Sequence, residues 1–181
     1  VQYAAGASGN NSTYSGFAGV LDGRNHKLIG GTSGGHGLFG GLYGGTIKNI
    51  IFDGVNYTGG RYNSIIANNI FGATMENVTI TVANELDMSG VDTDLAEAEW
   101  NNRGLIAFGH TQNLKMTRVS IVAEKAQLFT LFGTGSLSCQ KGQYTCSEVT
   151  VKVKGLKYLG RTASASLGIK EVSGLTVTTA A

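Results

Sequence analysis

Five short segments share one pattern, two apolar residues separated by a single residue: Asn49-Ile50-Ile51-Phe52, Asn77-Val78-Thr79-Ile80, Arg118-Val119-Ser120-Ile121, Glu148-Val149-Thr150-Val151 and Gly174-Leu175-Thr176-Val177. Alternation with period two puts Ile50 with Phe52, Val78 with Ile80, Val119 with Ile121, and Val149 with Val151 on one face of a strand. The first apolar positions, 50, 78, 119, 149 and 175, are spaced by 28, 41, 30 and 26 residues, a recurrence typical of stacked structural units. Stacking buries those faces. The residues between them, Ile51, Thr79, Ser120, Thr150 and Thr176, then point outward as a column with a spacing of about 4.8 Å, the distance between paired strands. That column is a mostly hydroxyl ladder.

A Phe-Gly step precedes four of the anchors, in Leu38-Phe39-Gly40, Ile70-Phe71-Gly72, Ala107-Phe108-Gly109 and Leu131-Phe132-Gly133. Phe supplies bulk for an interior stack, and Gly permits the tight backbone of a corner. The unit reads strand, corner, strand, as one coil of a parallel β-helix does. The pattern predicts an all-β, single-stranded solenoid of about six coils, in which each coil is stabilised by its neighbours. Residues 1–16 are expected to form an N-terminal cap or arm. The β-helix domain is expected over 17–181, with an insertion at 82–103 and a cysteine loop at 138–147.

Composition agrees with a turn-rich β chain: 28 glycines, no proline and 14% charged residues among 181. The formal net charge of +2 and the lack of a basic run interleaved with aromatics argue against a nucleic-acid partner. No stretch of 18 apolar residues exists to span a membrane. The chain begins at Val1, as a processed mature protein or an excised domain would. Cys139 and Cys146 close an 8-residue loop, and a disulfide there would contribute about 2 to 2.5 kcal/mol through loop entropy. Two free thiols are the alternative.

Phe17-x-Gly19-x-Leu21-Asp22-Gly23-x-x-His26-x-x-Ile29, then Gly37-Leu38-Phe39-Gly40 and Gly44-Gly45-Thr46-Ile47-Lys48-Asn49-Ile50, resembles the GLUG-type repeat of bacterial surface and secreted proteins. The resemblance covers Phe17 to Ile80 and fades beyond. It implies a right-handed parallel β-helix, secreted or displayed at the cell surface, often within adhesins. It implies no catalytic residues, since the positions it fixes are glycines, core apolars and turn formers.

The 41-residue gap carries a surplus of about 13 residues, within Val82 to Arg103. Glu85, Asp87, Asp92, Asp94, Glu97 and Glu99 lie there beside Trp100, the only tryptophan. Asp92 or Thr93 is placed to cap a short helix near 92–101. Trp100, Asp92, Asp94 and Glu97 are therefore the candidate ligand-binding residues. Trp100 serves either as a sugar-stacking platform or as a clamp packing the helix onto the solenoid. Asp87, Asp92 and Asp94 are the candidate calcium ligands, although their spacing departs from the Asp-x-Asp-x-Asp-Gly form.

An enzyme reading needs paired carboxylates or a carboxylate-held metal beside a base on the outer face. The ladder contains no carboxylate, and Lys48, Asp53, Glu76, Arg118 and Glu148 are scattered singly along the chain. No catalytic residue and no cofactor is assigned. His26, His36 and His110 sit beside Gly or Asn and read as turn residues, and the glycine runs at 30–35 and 40–45 read as corners. Asn10, Asn11 and Asn56 are candidate glycosylation acceptors, with Asn77 less accessible beside a strand. A threonine column also suggests ice binding, but Ile51 interrupts it.

Two functions remain. One is an exported structural or adhesive module contacting a glycan, a host or cell-surface protein, or sister copies. The other is a carbohydrate-binding or carbohydrate-active domain working through the insertion near Trp100. Uncharged strand edges at the two termini, Val1-Gln2-Tyr3-Ala4-Ala5 and Gly174-Leu175-Thr176-Val177-Thr178-Thr179, are candidates for head-to-tail polymerisation.

Overall fold

The computed structural model describes residues 16–33, 37–60, 62–90, 103–109, 111–132, 144–161, 168–169 and 171–180. Every regular element among them is a strand. In chain order they are β1 (Val20–Ile29), β2 (Thr32–Ser33), β3 (Phe39–Tyr43), β4 (Thr46–Tyr57), β5 (Ala67–Phe71), β6 (Thr74–Val82) and β7 (Leu86–Asp87). Then come β8 (Thr111–Gln112), β9 (Leu114–Thr130), β10 (Tyr144–Ser147), β11 (Val149–Tyr158), β12 (Gly160–Arg161), β13 (Gly168–Ile169) and β14 (Leu175–Thr179).

One path of parallel strands, β1-β4-β6-β9-β11-β14, runs the length of the molecule, with β2, β7 and β10 attached to β4 and β9. A second parallel sheet, β3-β5-β8, lies off it, and β12 and β13 form a small antiparallel pair. The chain is an all-β parallel solenoid of about four turns rather than six. Each apolar anchor marks one strand of the path rather than one complete turn.

The interior follows the alternation. Leu28, Phe52, Ile80, Ile121, Val151 and Val177 occupy one register column, and its four middle members are buried. A second column, Leu21, Ile47, Met75, Met116 and Cys146, is buried at its three middle residues. Phe39, Ala67 and Ala107 add a third from the second sheet. Complete burial of an Ile or Phe side chain contributes roughly 1.5 to 3 kcal/mol, so these columns dominate the stability.

The Phe-Gly steps do not occupy one position in the coil. Phe71 is level with Tyr43, whereas Phe39 is level with Ala67. Of Gly40, Gly72 and Gly109 only Gly72 has positive φ. The true corner ahead of the main strands is the column Gly44, Gly72, Asn113, with φ of 72°, 61° and 52°. The segments between columns differ in length from coil to coil, so similar dipeptides land in different places.

A second left-handed column bends the main path itself. Asn25, Asn49, Asn77, Arg118, Glu148 and Gly174 all have positive φ, each immediately before the first inward residue of its segment. Asn and Gly tolerate this conformation, whereas Arg and Glu pay for it. In β1 the bend is irregular: three residues, Gly23, Arg24 and Asn25, stand against the single Asn49. Gly23 is needed there, because a Cβ would lie 2.6 Å from the Asn49 carbonyl oxygen.

The predicted insertion joins the coil at its start. Val82 pairs with Val55, Leu86 with Ala126, and Met88 is buried. The predicted helix near 92–101 lies outside the described residues.

Candidate functional site

The outward ladder forms as the alternation implies. Lys27, Ile51, Thr79, Ser120, Thr150 and Thr176 are register partners on successive strands, and the Thr150 hydroxyl donates to Ser120 Oγ at 3.4 Å. Two residues further along each strand runs a companion column. There Thr81 pairs with Val122, Val122 with Lys152, and Lys152 with Thr178, and at the other end Ile29 pairs with Asp53. Lateral hydroxyl pairs such as Thr150 with Ser120 contribute roughly 0.2 to 1 kcal/mol each.

The left-handed corners border this face. The Asn77 side-chain amide donates to Asn49 Oδ1 at 3.0 Å and to Asn25 Oδ1 at 3.3 Å, and Asn49 in turn donates to Asp22 Oδ1 at 3.1 Å. Asn77 is exposed, not screened by its strand, but its amide is engaged in this ladder.

Charges that stand singly along the chain meet between coils. Lys27 Nζ lies 2.9 Å from Asp53 Oδ2, Lys48 Nζ 3.5 Å from Asp22 Oδ2, and Arg118 Nη2 2.6 Å from Glu76 Oε1. Lys152 pairs with Glu124. Lys48, Asp53, Glu76 and Arg118, scattered singly along the chain, are thus paired in space while staying partly exposed: the coil brings opposite charges from 26 to 42 residues apart into contact. The Arg24 backbone N–H first, then the Asn49 amide and Lys48, hold Asp22 below the usual carboxylate range. Lys27 and the Thr81 hydroxyl do the same for Asp53. Thr81 Oγ1 donates to Asp53 at 3.0 Å and accepts from the Gly54 N–H at 2.6 Å, closing that corner.

At the far end of β4 a side chain takes the place of a neighbouring strand. Asn84 accepts from the Tyr57 N–H at 2.8 Å and donates to the Tyr57 carbonyl at 2.9 Å. The Tyr57 ring is buried, and burial pushes its hydroxyl far above the ordinary value, against a smaller opposing effect from Arg103. Thr130 Oγ1 donates to the Arg103 carbonyl at 2.6 Å, fixing the return of the chain.

Of the sequence-derived site residues, Asp87 is exposed, and its Oδ1 accepts from the Ser89 N–H at 2.9 Å. Hydrogen bonds from Ser89, side chain then backbone, lower its pKa. Asp92, Asp94, Glu97 and Trp100 lie outside the described residues, as do Asn10, Asn11, His36, His110 and Cys139. Asn56 is exposed near the end of β4. His26 stands on β1, level with the inward Ile50. Cys146 is half-buried below Met116, carries no disulfide among the described residues, and has its thiol pushed up to about 11 by burial. Among the described residues no three His, Cys, Asp or Glu side chains gather as a metal site, and no helix is long and apolar enough to cross a membrane.

Chemically, the face offers a straight row of hydroxyls flanked by amides and neutralised ion pairs. It suits repeated weak contacts along one direction. Comparison with protein-family models, curated proteins and solved structures finds no match.

Proposed function

We propose that this chain is an exported structural and adhesive module, a right-handed solenoid of the GLUG type working in the secreted or cell-surface setting. The observation that supports this reading is the outward ladder. Thr79, Ser120, Thr150 and Thr176 are held in register, while nearby charges are spent joining coil to coil. A rigid row of hydroxyls spaced by about 4.8 Å presents donors and acceptors that a glycan or a protein edge can follow. In an oxidising setting the Cys139–Cys146 bridge closes its loop.

The test is to screen the purified chain against immobilised glycans and cell-surface proteins while assaying the same glycans for new reducing ends or unsaturated products. The reading predicts retention that weakens when Thr79, Ser120 and Thr150 are replaced together by lysine, with no product formed. Turnover of a polysaccharide overturns it in favour of a carbohydrate-active domain, and loss of binding in Trp100→Ala alone moves the contact to the 82–103 segment.

A further inference from the structure

The two end strands of the path differ from every strand between them. Among the described residues five large hydrophobic side chains are exposed, and four of them lie on β1 or β14: Val20 (63%), Leu28 (48%), Ile29 (81%) and Val177 (37%). Leu28 and Val177 are the two ends of one interior column whose middle members are at most 5% exposed. Among the described residues nothing covers the column at either end.

The two ends also fit each other. Through the register of the intervening strands Thr176 is equivalent to Lys27, and Val177 to Leu28. The regular stretch of each end strand follows directly on a residue of positive φ, Asn25 at 63° and Gly174 at 78°. The extent of the strands matches as well. β1 is irregular between Asp22 and His26 and regular from His26 to Ile29, while β14 begins at Leu175, the position equivalent to His26. A bulged stretch discourages edge pairing, and β14 makes no demand on it.

We infer that β14 of one copy pairs in parallel with the His26–Ile29 half of β1 of a second copy, placing Val177 against Leu28 and continuing the coil-to-coil interface from one molecule into the next. The proposal rests on the structural-module reading above and names a second copy as that module's partner. The interface is head-to-tail and does not close, so it builds a linear stack. Burying exposed Leu and Val supplies its drive, and the ladder hydrogen bonds set its direction.

Sedimentation of the full chain, without any glycan, tests this. The wild type is expected to shift from monomer to a ladder of oligomers as concentration rises. Leu28→Lys and Val177→Lys, both at exposed positions, should each be monomeric, with association weakened at least about tenfold by the ammonium left without a partner. Circular dichroism identical to wild type shows that each still folds. Mixed in equal amounts, the two variants retain one intact end apiece and should form a 1:1 dimer and nothing larger. A wild type that stays monomeric, as it does if another stretch of its own chain covers these edges, overturns the proposal. So does a Leu28→Lys variant that still associates alone, or a mixture that stays monomeric. None of these outcomes bears on the glycan and surface binding by which the structural-module reading is judged.

Discussion

The first three corners of the left-handed column and the last three share positive φ but differ in chemistry. Asn25, Asn49 and Asn77 suit positive φ and link their amides from coil to coil. Arg118 and Glu148 have no such preference, and Gly174 has no side chain to link. A Cβ at Gly174 would lie 2.0 Å from the Cys146 carbonyl oxygen, so the final corner is fixed by close approach. The early corners carry a local reason to bend. Arg118 and Glu148 carry no such local reason.

If the later corners depend on the interior, emptying that interior should do the most damage. Ile121→Ala is expected to cost about 2 to 5 kcal/mol in denaturant unfolding, because the side chain is fully buried and its neighbours in the column collapse only partly. A loss below 1 kcal/mol would mean that the stack is not what holds the Arg118 corner. The corners themselves come next. Asn77→Ala gives up both the tolerance for positive φ and two amide bonds, and should lose about 1 to 2 kcal/mol. Arg118→Ala leaves the backbone penalty unchanged and removes one exposed ion pair, so it should lose less than about 1 kcal/mol in the same titration.

Glu148→Gly runs the other way. It relieves a non-glycine residue at φ 55° and should raise the unfolding midpoint by about 1 kcal/mol of stability, whereas Asn49→Gly should gain nothing because it breaks the amide ladder. The smallest effect is in pH. Asp22 and Asp53 are held below the usual carboxylate range, so their contribution is complete above the unfolded-state pKa and fades as pH falls through the lowered folded value. Asp53→Asn should flatten the acid limb of a thermal-unfolding profile, and a limb left unchanged would show that the Lys27 contact adds nothing measurable.

The inward and outward faces were legible because strict alternation survives in all five segments, and a residue slipped by one would turn every side chain over. The left-handed column was half legible. Asparagine recurs at Asn49 and Asn77 immediately before the apolar anchor, but Arg118 and Glu148 occupy the same place without any propensity that announces it. The Phe-Gly steps misled because dipeptide likeness ignores coil length, and pairing puts Phe71 level with Tyr43. The ion pairs were illegible for a related reason. Asp22 and Lys48, or Glu76 and Arg118, meet only once the register is known, and register is a property of the stack rather than of either residue. The acidic segment with Trp100 drew attention by composition, and its candidate residues Asp92, Asp94, Glu97 and Trp100 lie outside the described residues. The face that the structure does present was visible in the sequence as its hydroxyl column.

The stacked coil stands on parallel register between successive strands, and cysteine cross-linking reads that register directly. In a chain with Cys139 and Cys146 replaced by serine, Thr79→Cys and Ser120→Cys stand side by side on β6 and β9, within reach of a disulfide. Mild oxidation should consume both thiols within the monomer, while Thr79→Cys with Val122→Cys stays reduced. Closure of the second pair and not the first would contradict the stacked coil.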